Sequence, residues 1–569
     1  IVRSPHAHAE IKAIETVGAL EVPGVLAVLT GADALADGLK PIPRNVMPSL
    51  PDIAIANRDG SDYFASPQHV LPADKTRFVG EALVMVIGET EAVAKDGAEQ
   101  VRIEFAPLSS VTATVAALQP GAPVVWEDAP DNLCVDADVG DRAAAEAAFA
   151  GAMHVVRLET WIRRVTGMPL EPRAAVGDYN PKTERYTVYA GSGGAVRQKR
   201  EAAAILGVKL DAVRFVAGDV GGNFGTRNAF YPEFALVAWA ARRVGRPVKW
   251  TCERREAFLS DHQGRDLAVE AELALDAQGK FLGLRGSNIS NTGAYTISFV
   301  PLVKGVEIMT GTYRIPSTYL RARAIASNTP STNPYRSAGR PEVNFVIERL
   351  IDLACREHSF DPVEIRRQNM IPPSSMPYAN GLGMIYDSGA YEQAMESVLR
   401  VGDWQGFSIR RAAAVERGTR RGIGLAAYVE TSTGAPRERT EMTVRPEGYI
   451  DVIIGTLSSG QGHETSFAQL VTEWLGVPLD SVRLITGDTD LVEVGGGSHS
   501  GRSMRLAGII IGKASDEIIA SGTKIAGYLL EAAEPDITYT EGRFIVAGTD
   551  RSIDIFEVAA AAETRADLP

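Results

Sequence analysis

Cysteine is scarce in this chain. Cys134, Cys252 and Cys355 are isolated, odd in number and fit no metal-ligand spacing. That excludes a disulfide framework and an iron–sulfur or zinc motif, and it makes a reducing, cytoplasmic compartment the default. Histidine is also sparse, with 8 residues, and only His6 and His8 stand close together. Without a third ligand nearby, that pair reads as exposed or capping rather than metal-binding. No apolar run approaches the roughly 20 residues of a membrane-crossing helix. Positive charge is in deficit, 58 Lys+Arg against 71 Asp+Glu, a net −13. Such a surface repels phosphate backbones, so nucleic acid is not an expected partner. A charged and then apolar leader is missing from the start. The chain opens in IVRSPHAHAEIKAIET and stops at Asp567-Leu568-Pro569, so a fragment or one piece of a split polypeptide is expected.

What is present is ordinary globular usage over 569 residues, 45% hydrophobic and 23% charged, with 55 glycines. That length suggests three or four domains at about 150 residues each. Residues 77–87 and 101–105 read as strands, and 90–100 between them as a short helix. An α/β domain is therefore expected over 1–115, then a weakly patterned linker over 116–149. Two further domains would cover 150–385 and 386–569, the last incomplete at its end.

Those two domains carry a repeat. Leu206-Gly-Val-Lys-Leu-Asp-Ala-Val-Arg-Phe-Val-Ala-Gly-Asp219 resembles Leu475-Gly-Val-Pro-Leu-Asp-Ser-Val-Arg-Leu-Ile-Thr-Gly-Asp488, at an offset of 269. The same offset sets Gly191-Ser192-Gly193 on Gly460-Gln461-Gly462. Each copy reads as strand, glycine turn, helix, Leu-Gly stop, strand and Gly-Asp turn. Gly207 and Gly476 fall where a helix C-cap is wanted. Two related domains facing one another across a ligand are expected.

Four glycine turns stand before helices: 191–194, 218–225, 460–462 and 495–501. Helix N-termini present unpaired N–H groups and partial positive charge, and glycine lets an anion approach the backbone. Together they favour a large anionic ligand such as a dinucleotide. The standard nucleotide motifs each fail by one residue. Gly455 to Gln461 has Walker spacing with Gln461 in place of lysine, and Val220 replaces the first Rossmann glycine. Gln461 offers amide donors and an acceptor, which suit the edge of a heterocycle.

At these motifs the chain resembles the molybdopterin-binding large subunit of the xanthine oxidase, aldehyde oxidase and carbon monoxide dehydrogenase family of molybdenum hydroxylases. The opening RSPHAHA and Arg77-Phe-Val-Gly-Glu81 resemble the family's hammerhead domain. Glu171-Pro-Arg173, Val220-Gly-Gly-Asn-Phe-Gly225, Tyr335-Arg-Ser-Ala-Gly-Arg340, Gly460-Gln-Gly-His-Glu-Thr465 and Gly495-Gly-Gly-Ser-His-Ser-Gly-Arg-Ser503 resemble its cofactor motifs, in order. The resemblance implies an α+β fold, with an α/β hammerhead-type domain followed by two related molybdopterin-binding domains. It implies molybdenum held by a pterin dithiolene, with no protein ligand to the metal, as a molybdopterin cytosine dinucleotide. It also implies hydroxylation of an aldehyde or N-heterocycle, with electrons passed to [2Fe–2S] and FAD. These groups would lie on a small and a medium partner subunit, in a dimer of heterotrimers. A non-catalytic pterin-binding or assembly protein is the alternative.

By motif position, Gly222, Asn223, Phe224 and Gly225 are expected above the metal, with backbone N–H groups acting as an oxyanion hole does. Phe224 would exclude water, and Arg336 would orient substrate; these two are the expected catalytic residues. Ser337, Ala338 and Gly339 continue the Arg336 loop against the cofactor. Gln461, Gly462, His463 and Thr465 would contact the pterin and its phosphate. Ser498, His499, Ser500, Gly501, Arg502 and Ser503 would hold the dinucleotide end, with Arg502 supplying charge. Three positions depart from the family pattern. Gly193 replaces a glutamine, Asn228 replaces the glutamate of purine-oxidising members, and Ser337 replaces the cysteine of copper-containing carbon monoxide dehydrogenases. The family's general base is a glutamate in a GVGE-like segment, which does not occur in this chain. Glu171 and Glu464 are read as structural.

Overall fold

The computed structural model describes residues 1–47, 53, 55–431 and 437–568. The N-terminal unit is built on Ala82–Gly88, whose residues are nearly all buried. This strand lies between Val2–Arg3 and Val25–Thr30, and a second sheet orders Lys75–Thr76, Ala9–Glu15 and Arg102–Pro107. The helix Glu91–Gln100 starts at Thr90, whose hydroxyl caps Val93 N. Arg3 reaches out of this unit to Glu233, which also pairs with the buried Arg173 of the Glu171-Pro-Arg173 motif, each at 2.6 Å.

The next unit holds a five-stranded sheet in the order Leu133–Gly140, Ser317–Ala326, Phe281–Gly293, Leu267–Leu275, His154–Ile162. The helix Arg340–His358 packs on it through Val343, Val346, Ile347 and Leu350, all fully buried. The second half of the segment 116–149 does not behave as a linker. Leu133–Gly140 pairs antiparallel with Ser317–Ala326, and Arg142–Ala150 forms a helix capped by Asp141. Cys134, Val135 and Ala137 are buried in that strand, while the interposed aspartates disguise its apolar face. Burial pushes the Cys134 thiol up to about 12, so it acts as an apolar core residue.

The repeat is realised as two βαβ units of the same layout. Arg185–Ala190 and Val213–Val216 pair in parallel, joined through the helix Ala195–Leu206. Tyr449–Ile454 and Val482–Ile485 pair in parallel, joined through the helix His463–Leu475. An antiparallel neighbour flanks each, Ala174–Asn180 in the first copy and Thr440–Arg445 in the second. Both helices stop at a left-handed glycine, Gly207 at φ 67° and Gly476 at φ 63°. The copies touch at equivalent Gly-Asp turns. Ala217 N donates to Gly487 O at 2.9 Å, Thr489 N donates to Phe215 O at 3.1 Å, and Arg214 pairs with Asp488 at 2.6 Å. The mixture of parallel and antiparallel sheets with packed helices makes the whole an α+β protein. Among the described residues no helix is long and apolar enough to cross a membrane.

Candidate cofactor and active site

Three helices begin at one place. Ala195–Leu206 starts after Gly194, His463–Leu475 after Gly462 and Arg502–Leu529 after Gly501, and none of the three N-caps makes a side-chain hydrogen bond. Elsewhere Thr30, Thr90, Asp141 and Asp554 cap helices with side-chain oxygens. The three glycine starts therefore leave first-turn N–H groups without a side-chain acceptor, at the partial positive ends of three helices.

Close backbone contact locks the first and third of these starts together. Ser498 N donates to Gly193 O at 2.6 Å, and a Cβ on Gly194 would stand 2.7 Å from Gly497 Cα. Only glycine permits that approach. Gln461 is exposed and bridges the second and third starts. Its Nε2 donates to Ser498 Oγ at 3.0 Å, and its Oε1 accepts from Ser459 N at 2.5 Å. The hydroxyls of Ser498, Ser503 and Thr456 run on from there at 3.0 and 2.6 Å.

The other residues expected at this end divide by exposure. Gly462, Thr465, Ser500 and Gly501 are exposed, and Ser500 and Gly501 are left-handed at φ 53° and 66°. His463 is buried, stacked on Phe467 at 4.6 Å, with Nδ1 3.3 Å from Thr456 O. His499 lies with Nε2 3.0 Å from Gly496 O. Its burial, and then the Arg502 charge, lower its pKa to about 4, so the ring is neutral near pH 7. Arg502, expected to supply charge to a ligand, is fully buried. Its guanidinium donates to Gly497 O at 2.6 Å, Glu438 Oε2 at 2.7 Å and Arg437 O at 2.9 Å. It therefore braces the 495–501 loop from inside and does not present its charge at the surface.

The second cluster joins two strained loops. Phe224 adopts φ 52° and is 42% exposed, an unusual state for a large apolar residue. Its carbonyl accepts from Arg336 N at 2.8 Å. A Cβ on Gly225 would stand 2.1 Å from Pro334 O, so the loops can meet only at glycine. Ser337, Ala338 and Gly339 follow at φ 66°, 32° and 88°. Arg265 holds this turn by donating to Tyr335 O at 2.9 Å and Arg336 O at 2.8 Å. The Arg336 side chain is exposed, with its guanidinium 5.9 Å from the centre of the Phe224 ring.

Asn223 is buried and organises its own loop. Its Oδ1 accepts from Gly225 N and Arg227 N, both at 3.1 Å, and its Nδ2 donates to Asn228 Oδ1 at 2.8 Å. The Gly225 N–H is thus engaged. Those of Gly222, Asn223 and Phe224 carry no hydrogen bond among the described residues. Glu171 accepts from Gly221 N at 2.8 Å and Arg227 Nη1 at 2.6 Å, which fixes the loop from the other side. Arg265 and Glu438, and Glu430, which pairs with Arg340 and accepts from the Tyr428 hydroxyl, escape the sequence reading. All three act on loops far away in the chain, and no local pattern announces them.

Family models match nearly the whole chain: an aldehyde oxidase and xanthine dehydrogenase a/b hammerhead domain over residues 1–109, and molybdopterin cofactor-binding domains over 125–370 and 397–568. The carbon monoxide dehydrogenase large chain of Hydrogenophaga pseudoflava is 32% identical, covering 97% of this chain and 70% of the relative. The 6-hydroxypseudooxynicotine dehydrogenase complex subunit gamma of Paenarthrobacter nicotinovorans is also 32% identical, covering 99% and 70%. Quinoline 2-oxidoreductase from Pseudomonas putida 86 superposes with a TM-score of 0.89 at 30% identity, over 99% of this chain and 72% of that one. The chain belongs to the xanthine oxidase and aldehyde oxidase family of molybdenum hydroxylases, as a molybdopterin-binding large subunit.

Proposed function

We propose that this chain binds the cytosine dinucleotide form of the molybdopterin cofactor and hydroxylates an aldehyde or N-heterocycle. The observation that carries this reading is the convergence of three glycine-started, side-chain-uncapped helix N-termini at Gly194, Gly462 and Gly501. One such start suits one phosphate, and several joined by the Gly194–Gly497 contact and the Gln461 amide suit a pyrophosphate. The donor set fits the group. Gln461 offers an amide to a heterocycle edge, the exposed Thr465 and Ser500 offer hydroxyls, and the 222–224 N–H groups remain for negative charge.

When bound, the cofactor supplies the redox centre at which water-derived oxygen replaces hydrogen on a substrate carbon. The chain's own residues would act around it. Phe224 would present an aromatic face at the mouth, stack against a flat substrate and keep water out. Arg336 would donate to a substrate carbonyl or to developing negative charge. Arg265 would hold Arg336 through its carbonyl, and Asn223 would keep the 222–225 loop in shape. We assign no general base within residues 1–569, because Glu171 is committed to Arg227 and Gly221. Electrons would leave for [2Fe–2S] and FAD on partner subunits of a heteromeric, cytoplasmic complex.

Elemental and nucleotide analysis of the purified complex tests this reading. About one molybdenum per large subunit and a cytosine nucleotide on acid hydrolysis are expected. Zinc or iron bound to this chain without molybdenum overturns it.

A further inference from the structure

We propose that Glu438 is a positioning residue for the cofactor, holding the 495–501 loop in the shape that receives the ligand's anionic end. The inference rests on the reading given under Proposed function. The Glu438 side chain is 1% exposed, and its Oε2 takes two donors, Arg502 Nη1 at 2.7 Å and Gly496 N at 3.2 Å. Arg502 in turn donates to Gly497 O at 2.6 Å. Gly497 closes on the first-copy turn, where a Cβ would meet Gly193 O at 2.6 Å. One buried carboxylate thus fixes three successive features: the Gly496 N–H, the Gly497 carbonyl and the first residue of the helix Arg502–Leu529.

The substrate side repeats this device. Arg340 opens the helix Arg340–His358 directly after the left-handed Gly339, as Arg502 opens its helix after Gly501. Arg340 Nη1 donates to Ser337 O at 3.0 Å, and its Nε pairs with Glu430 at 2.8 Å. Both loops therefore end in Gly-Arg, with the arginine turned inward onto its own loop and paired to a glutamate. The two glutamates stand eight positions apart in the sequence. The cofactor loop and the substrate loop are braced by the same construction.

A purely stabilising role does not account for this pair. A buried ion pair recovers little beyond its own desolvation cost, and apolar residues of similar volume often replace it without loss. Apolar residues cannot hold the Gly496 N–H and the Gly497 carbonyl at set places. Charge at this point therefore specifies geometry at the pyrophosphate cradle.

The test uses the assembled complex, expressed where the cofactor is made. Two variants are compared with the parent: Glu438→Gln, and the double replacement Glu438→Leu with Arg502→Met. Thermal unfolding is read alongside molybdenum per subunit, nucleotide released by acid, and the rate at which molybdenum is lost on dialysis. The double variant is expected to unfold near the parental temperature and yet lose cofactor roughly 10- to 100-fold faster, with Glu438→Gln between the two. If the double variant fails to fold, Glu438→Gln, which keeps shape and an acceptor, decides alone. A loaded parent whose variants hold cofactor equally well overturns the inference and leaves the functional reading standing. A parent without molybdenum overturns that reading and the inference with it.

Discussion

Asn228 occupies the space that a side chain at Gly193 would need. A Cβ on Gly193 would stand 1.8 Å from Asn228 Oδ1 and 2.3 Å from Asn223 Nδ2. The two amides bond to each other at 2.8 Å across that point. In this loop arrangement a side chain at 193 would collide with the Asn223–Asn228 pair, so the glycine at 193 and the paired amides fit together.

Gly193→Ala is expected to destabilise the protein by about 1–3 kcal/mol through overpacking, because the Asn223–Asn228 bond must open. Combining it with Asn228→Ala should recover part of the loss, since the nearer colliding atom is then gone and the Asn223 amide is free to move aside. A double-mutant cycle from urea unfolding measures the coupling, and additivity within about 0.5 kcal/mol would show that the sites are independent.

Gln461→Ala should lower cofactor retention more than it lowers unfolding temperature. Its amide links Ser459 and Ser498 at the exposed floor of the cradle, where folding gains little from it. Each hydrogen bond lost to a bound heterocycle is worth about 1 kcal/mol, or roughly fivefold in retention. Molybdenum content of variant and parent checks this, and equal content would leave Gln461 as a turn residue.

Acid should loosen the cradle through His499. Its pKa is depressed to about 4 in the folded protein, chiefly by burial. The unfolded chain binds that proton near the ordinary histidine pKa, at about 6.5. Its contribution to stability is therefore complete above about pH 6.5 and is lost as pH falls toward about 4. Urea midpoints at pH 7 and pH 5 should fall further in the parent than in His499→Gln. An identical fall in both would place the acid sensitivity elsewhere.

The repeat was legible because its signal is local. Leu-Gly, the spaced apolar residues and Gly-Asp each act within one βαβ unit, so Gly207 and Gly476 could be named as helix stops from the chain alone. The glycine turns were legible for the same reason. Arg502 was misleading. An arginine beside a glycine loop looks like an anion ligand until Glu438, sixty-four positions away, is seen to hold it. The 116–149 segment misled through Asp136 and Asp138, whose exposed faces break an apolar run that is buried on its other side. Pairings between loops that are separated in the chain, such as Asn228 with Gly193, leave no periodic trace.

Substrate choice should follow Arg336, Ser337 and Asn228 together. Arg336 is exposed, with its backbone N–H on Phe224 O and its carbonyl on Arg265, so its side chain springs from a fixed base. It can meet a carbonyl or hold negative charge as it develops. Asn228 is neutral and its oxygen is engaged by Asn223, so no carboxylate is offered at that place to a purine. Ser337 has a hydroxyl, which does not hold copper as a thiolate does. An aldehyde or simple N-heterocycle should therefore be turned over well, and xanthine or carbon monoxide much less. Arg336→Met should reduce kcat/KM on the good substrate by roughly 30- to 1000-fold, the loss of about 2–4 kcal/mol of transition-state binding, with molybdenum content unchanged. Arg336→Lys should recover only part of this, because an ammonium cannot reproduce the planar two-point contact. A panel of the four substrate types with an artificial electron acceptor, on the assembled complex, measures both effects. Xanthine as the best substrate would mean that position 228 does not govern selectivity. Full activity in Arg336→Met would remove the arginine from the reaction.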